Sequence, residues 1–330
     1  MDKCVAITGC NGYIGGQTVL RFKDLGYHVI GVDRNTTAPW IRGIVDSFVT
    51  GDFTNPMFIN LMIDKNPSAL IHIAGTSLVG PSMTDPGPYY LNNVGNTARL
   101  LSTLASRGWK KTVVFSSSAA VYGDPGNNTL TEQSNKAPIS PYGQSKLMAE
   151  QVLRDCAKGY GFRTVALRYF NACGADSRVR HGQLKQATHL IARIMETIVD
   201  KGVFTLNGAD YPTTDGTCVR DYLHVEDIAN AHYLSTLYSE GMAPGSSAEF
   251  NLGSGQGASI KEIIASVERI TGRMVLTHTG PRREGDPATL VASAYKFKKE
   301  TGWKTDSSSI DNIVRSAWAW YNSTEYKNKA

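Results

Sequence analysis

The 330-residue chain is predicted to be α/β, with a doubly wound parallel sheet and a smaller second domain. Three observations carry this prediction. Short apolar runs alternate with amphipathic stretches through the first half, a glycine trio follows the first run, and an aspartate ends the second. Such βαβ alternation places helices on both faces of a parallel sheet. Ligands bind these sheets at the carboxyl ends of the strands, so the residues closing each run matter most.

The first run, "CVAITG", passes into "TGCNGYIG", with Gly9, Gly12 and Gly15 in G-x-x-G-x-x-G spacing. Glycine turns tightly and lets backbone approach a pyrophosphate, whose charge is held by helix N-terminal amides. "HVIGVD" ends in Asp33, where a carboxylate accepts hydrogen bonds from an adenosine ribose and repels a 2′-phosphate, favouring NAD over NADP. "SFVTGD" ends in Asp52, which either meets adenine or caps the next helix. "ALIHIAG", "KTVVFSSS" and "TVALRYFN" supply three further strands.

Before the last of these, "SPYGQSK" sets Tyr142 and Lys146 at i and i+4 on the head of a helix, sharing one face. A neighbouring cation favours phenolate, drawing a phenol that titrates near ~10 toward the working pH and making a general base. An idle exposed pair has the same spacing, so the surrounding motifs decide between the two readings.

Composition narrows the function. Hydrophobic residues make up 41% and charged residues 19%, as expected of a soluble globular protein large enough for real cores. The net charge of +5 comes without a long basic run, which argues against nucleic acid and suits an anionic small substrate. The five cysteines are scattered and lack metal spacing, so neither disulfides nor a metal site is expected. No apolar stretch approaches the ~20 residues that span a bilayer, and "MDKCVAITGCNGYIGG" has no secretory features. Cytoplasmic residence without membrane association is the expectation.

In order along nearly the whole chain, "TGCNGYIG", "GDF", "HIAG", "NNV", "FSSSAAVYG", "SPYGQSKLMAEQ", "LRYFNACGA", "DYPTTDGTCVRDYLHVEDIANAH", "NLGSGQGAS" and "PRREGDPATLVAS" resemble the extended short-chain dehydrogenase/reductase family. Within it they are most similar to the UDP-glucose 4-epimerases. The resemblance implies a Rossmann-like NAD-binding domain over residues 1–172 and 220–248, and a discontinuous UDP-sugar-binding domain over 173–219 and 249–330. It implies reversible oxidation at sugar C4, interconverting UDP-glucose and UDP-galactose through a 4-keto sugar. Another nucleotide-sugar epimerase, acting on UDP-N-acetylglucosamine, is the alternative.

By this resemblance Tyr142 is the catalytic base, Lys146 lowers its pKa and bonds the nicotinamide ribose, and Ser118 orients the sugar oxygen. Gly9, Gly12, Tyr13, Ile14, Gly15, Asp33, Asp52, Ala74, Gly75 and Asn93 would join Tyr142 and Lys146 in holding NAD. Asn171, His189, Arg220, Arg283 and Asp286 would hold the UDP-sugar with Ser118. Two arginines suit a diphosphate, because a guanidinium offers forked donors and a permanent charge. Leu290 matches the site whose bulk governs entry of a 2-acetamido group. Read from the residues alone, Asn93 is also a helix cap, His189 a core histidine and Leu290 a packing residue.

Two departures stand out: Ser77 where several epimerases are basic, and Asn207 where an aromatic residue often lies against uracil. The acid pair that dehydratases carry after the active-site serine is Ala119 and Ala120 here, which argues against water elimination. Apolar residues at helical spacing, including Leu100, Leu104, Leu147 and Val152, together with the resemblance, predict a homodimer.

Overall fold

The runs read as strands do form one parallel sheet, and its order places the ends that matter side by side. The computed structural model describes residues 3–35, 39–126, 129–283 and 286–329. Its strands are β1 (Cys4–Thr8), β2 (His28–Asp33), β3 (Ser47–Thr50), β4 (Ala69–His72), β5 (Thr112–Ser118), β6 (Arg163–Tyr169), β7 (Asn171–Cys173), β8 (Phe204–Asn207), β9 (Val219–His224), β10 (Ser247–Leu252), β11 (Gly257–Ser259), β12 (Thr277–Gly280) and β13 (Thr289–Leu290). The seven-stranded sheet runs β3-β2-β1-β4-β5-β6-β10, with every pairing parallel. The order reverses between β1 and β4, opening the crevice that a doubly wound sheet offers to ligands.

Both faces are covered, so the central strands are apolar throughout rather than alternating. On one face Phe22, Ile228, Ala231, Phe297 and Trp303 pack against Val5, Ile7 and Val29. On the other, Phe58, Met62, Leu100, Leu104, Ala149 and Leu153 pack against Ala6, Ile30 and Phe115. Leu100 and Leu104 are therefore spent on their own sheet, and neither is available to a partner subunit. Leu147 and Val152 are half-buried, while Leu91 and Met148 are the large apolar side chains exposed nearby.

A second core gathers Ile191, Met195, Phe204, Leu206, Ile263, Val314 and Trp320. Above it β9 pairs with β7, β11 and β13, and β8 pairs with β12. The segment 219–240 thus divides. Its strand joins the small sheet, while the helix Val225–Glu240 lays Ile228 and Ala231 on the large one. β10, which spans position 248/249, lies wholly in the large sheet. Part of the segment between Asp33 and β3 falls at residues 36–38, outside the described residues.

Candidate active site

The crevice is lined first by backbone. Gly9 has φ +71°, and a Cβ there would lie 2.8 Å from the Ala74 nitrogen. A Cβ on Gly15 would lie 1.9 Å from the Gly9 carbonyl oxygen, so the loop folds back on itself as only glycine permits. Gly12 begins the helix Tyr13–Asp24 with no side-chain cap, leaving its first amides to an anionic ligand. Asp33 accepts hydrogen bonds from the backbone amides of Asn11 and Asn35, both at 2.8 Å. These use one direction on each carboxylate oxygen, so acceptor capacity remains for ribose hydroxyls. Asn11 Oδ1 is buried and meets no hydrogen-bond partner among the described residues. An uncapped helix, a glycine cradle and an acid at the second strand end fit the adenosine and pyrophosphate of NAD.

The other expected cofactor residues are distributed around this cradle. Asp52 accepts from the Thr54 amide and hydroxyl, both at 2.9 Å. Asn55, not Asp52, caps the following helix, so the capping alternative falls to its neighbour. Ile14 packs into the core. The Tyr13 hydroxyl donates to the Gly174 carbonyl at 2.7 Å, and its ring centre lies 5.8 Å from that of His189. Its side chain therefore ties the cradle to the second unit. Asn93 lies within the π-helical turn Tyr90–Asn96 rather than at a helix start. It accepts from the Thr76 amide at 2.7 Å and donates to Ser145 Oγ at 2.9 Å. A Cβ on Gly75 would meet both Asn93 Oδ1, at 2.9 Å, and Lys146 Nζ, at 3.2 Å. Gly75, Asn93 and Lys146 thus converge on one point.

Ser140 caps the helix Pro141–Tyr160 through the Gly143 amide, with Pro141 in its first turn, as a helix start favours. Tyr142 and Lys146 then sit one turn apart beside the end of β5. Lys146 Nζ donates to the Ser116 carbonyl at 2.9 Å and lies 4.8 Å from the Phe115 ring centre. Burial pushes its pKa down to about 8. Burial also raises the Tyr142 phenol above its usual value, while a hydrogen bond with Ser118 pulls the other way. In the protein alone both groups are thus drawn toward neutrality, because each charged form loses water.

Sequence reasoning missed the support beneath this pair. Glu150, one turn beyond Lys146, accepts from Ser117 Oγ at 2.5 Å and from Arg168 at 2.8 and 2.6 Å. Arg168 also donates to the Tyr122 hydroxyl at 3.0 Å, and Tyr122 to Asn251 at 2.6 Å. The i+4 spacing of Lys146 and Glu150 was a readable signal, whereas Arg168 arrives from another strand. His72 was likewise missed. It bridges Thr8 at 2.8 Å and Thr97 at 3.0 Å at the point where the sheet order reverses.

Asn171, His189, Arg220, Arg283 and Asp286 all line one cavity in the second unit. Arg220 pairs with Asp286 at 3.2 Å, and Asn171 donates to the Asp221 carbonyl at 3.0 Å. His189 precedes the helix Leu190–Val199, and its Nδ1 lies 2.7 Å from Gln183 Nε2. Burial lowers its pKa and so favours neutral imidazole. Arg193, Phe204, Thr205, Asn207, Cys218 and Tyr222 share the lining. Leu290 stands outside it. It pairs with Arg220 across the strand and packs in the cluster containing Ala119, Val121 and Tyr122, between the cavity and the Ser118 end. Ser77 offers its carbonyl to the Tyr89 hydroxyl at 2.9 Å. Among the described residues no group of His, Cys, Asp and Glu is arranged to hold a metal ion.

Comparison with known proteins agrees with this geometry. Residues 5–253 match the family described as "NAD dependent epimerase/dehydratase family". A UDP-glucose 4-epimerase of Halalkalibacterium halodurans is 38% identical, covering 98% of this chain and 99% of that protein. The crystal structure of UDP-glucose 4-epimerase from Brucella ovis in complex with NAD superposes with a TM-score of 0.90 at 38% identity, covering 97% of this chain and 98% of that one. The UDP-Glc/GlcNAc 4-epimerase of Campylobacter jejuni gives 0.81 at 34% identity, covering 97% and 99%. With a family match over most of its length and relatives this similar, the chain belongs to the NAD-dependent epimerase/dehydratase family, as an enzyme whose cofactor is NAD.

Proposed function

We propose that this NAD-dependent nucleotide-sugar 4-epimerase interconverts UDP-glucose and UDP-galactose through a transient 4-keto sugar. The observation that carries the reading is continuity. The Tyr142–Ser118 pair at the end of β5 leads, by way of Leu290, into the cavity that holds Arg220, Arg283 and Asp286. A sugar at the first and a diphosphate at the second are joined as they are in a UDP-hexose.

NAD held in the cradle would supply the hydride chemistry at C4. Tyr142 takes the proton of the 4-hydroxyl and gives it back when the carbonyl is reduced, so no net redox change remains. Ser118 aligns the sugar oxygen with the phenol. Lys146, charged below about pH 8, stabilises the phenolate electrostatically. Arg220 and Arg283 hold the diphosphate, and Asp286 accepts uridine ribose hydroxyls. Gly9, Gly12, Gly15, Asp33, Ala74, Gly75 and Asn93 would hold NAD. The domains read from the sequence, residues 1–172 and 220–248 for NAD and residues 173–219 and 249–330 for the UDP-sugar, divide this labour, except that Asn171 and Arg220, within the first ranges, line the UDP cavity.

Tyr142→Phe removes the proton acceptor and keeps the ring. Turnover of UDP-galactose should fall by about 10²–10⁴-fold, with NAD still released on denaturation. Retained turnover would sink the assignment. A second reading, UDP-N-acetylglucosamine as a partner substrate, is favoured by Leu290, which is smaller than tyrosine. NMR of the protein mixed with UDP-galactose and with UDP-N-acetylgalactosamine ranks the two, and we expect the first pair to react faster. A homodimer is part of the same reading, with Leu91 and Met148 as the exposed apolar contacts. A monomeric mass by light scattering at micromolar concentration excludes it. Cytoplasmic residence is proposed with it; among the described residues no helix is long and apolar enough to cross a membrane.

A further inference from the structure

The cavity proposed to hold the nucleotide contains more positive charge than its acid answers. Arg220 has Asp286 at 3.2 Å, and these two gather with Arg283 around Cys218. Arg193 stands apart from them. It rises from the helix Leu190–Val199, is half-buried and lines the same cavity. Among the described residues its guanidinium meets no carboxylate and donates no hydrogen bond. Its guanidinium lies over Phe204, whose ring centre is 5.8 Å from its Cζ. A half-buried guanidinium with no acceptor among the described residues is poised for a ligand.

A UDP-hexose offers four groups: the hexose, the diphosphate, the ribose, whose hydroxyls fall to Asp286, and the base. The hexose is placed elsewhere, since Ser118, Tyr142 and Leu290 are all outside this lining. The diphosphate already has Arg220 and Arg283. Phe204 lies beneath Arg193, and Thr205 and Asn207 share the cavity lining with both. Phe204 is buried, while Thr205 and Asn207 share the more open face of β8. An arginine braced on an aromatic ring presents a flat, weakly hydrated surface on which nucleobases stack. A strand edge of hydroxyl and amide offers donors and an acceptor to the rim of a pyrimidine.

We propose that Arg193, braced by Phe204, is the stacking platform for the nucleobase, and that it supplies the flat surface that Asn207 lacks. Arg193 is thus a determinant of base recognition rather than a third phosphate ligand. The inference rests on the reading of this cavity as the UDP site.

The test is UDP affinity by calorimetry, with inorganic pyrophosphate as competitor, on NAD-loaded wild type and three variants: Arg193→Ala, Arg193→Lys, and Arg193→Ala combined with Asn207→Phe. Retained NAD reports that each variant is folded. Stacking predicts a UDP affinity about tenfold or more weaker in Arg193→Ala, an equal loss in Arg193→Lys, unchanged competition by pyrophosphate, and recovery in the double variant, where a ring replaces the guanidinium. Wild-type affinity in Arg193→Lys, or pyrophosphate weakened in step with UDP, would show a charge acting on phosphate and overturn the proposal. So would wild-type UDP affinity in Arg193→Ala. A wild type that binds no UDP overturns the reading of the cavity, and this inference with it.

Discussion

The glycine cradle between β1 and β4 and the cavity beneath β9 suit ligands of one chemical kind, a nucleotide bearing a diphosphate, yet they are made of different parts. The cradle is backbone: free helix amides, a positive-φ glycine, and a carboxylate already bonded to two main-chain amides. The cavity is side chains: Arg220, Arg283, Asp286, His189, Arg193 and Asn207, drawn from separate elements. Backbone is rigid and tolerates no added atom, so the cradle should fail abruptly. Side chains re-pack, so the cavity should fail gradually and in a ligand-dependent way.

Gly15→Ala is the sharpest way to break that comparison. Its Cβ would meet Gly9 and Cys10 backbone, the nearest atom at 1.9 Å. Overpacking typically costs about 1–3 kcal/mol even where side chains can move, and here they cannot. The variant should purify with little NAD, measured by nucleotide released on denaturation; a full complement would show that the cradle yields.

Lys146→Met comes next, at the junction of the two regions. Activity should fall and its pH optimum rise, since phenolate formation loses its cation. Stability gives a separate readout. The folded pKa of about 8 lies below the ordinary 10.5, so between those values the unfolded chain binds more protons. Wild-type stability therefore rises with pH across that window, by roughly 3 kcal/mol in all. The cost of burying the ammonium is fully present below it. Urea unfolding of NAD-free protein at pH 8, 9 and 10 should show the slope in wild type and lose it in the variant. Equal slopes would mean that Lys146 titrates normally.

Asp33→Ala should loosen the preference for NAD over NADP by removing the charge that repels a 2′-phosphate. Because Asp33 also holds the Asn11 and Asn35 amides, both cofactors should weaken. The ratio of their dissociation constants is the quantity to measure, and an unchanged ratio removes Asp33 from the ribose site. Leu290→Tyr is the mildest and belongs to the side-chain region. It should suppress the N-acetyl pair selectively, by about 1–3 kcal/mol of discrimination. Equal slowing of both pairs would refute the steric argument.

The same contrast governs what was readable in advance. The cradle is local: strand, glycines, helix and the Asp33 strand end follow one another within a short stretch, and each residue type has a backbone reason to be there. Tyr142 and Lys146 were readable for a similar cause, because i and i+4 on one helix are neighbours whatever the fold. Arg220 and Arg283 were named through resemblance alone, because nothing local separates them from surface arginines.

The sequence by itself determined the parallel sheet, the placement of the glycine loop at its first strand end, and the helix that carries the Tyr–Lys pair. Periodicity, capping and backbone sterics act over a few residues, and those are written in order along the chain. Only the tertiary structure decided that Leu100 and Leu104 face their own sheet, that Glu150 meets Arg168 under the active site, and that Arg193 enters the cavity over Phe204 with no carboxylate partner among the described residues. Each depends on which side chain arrives from a distant element and on whether another reaches it first.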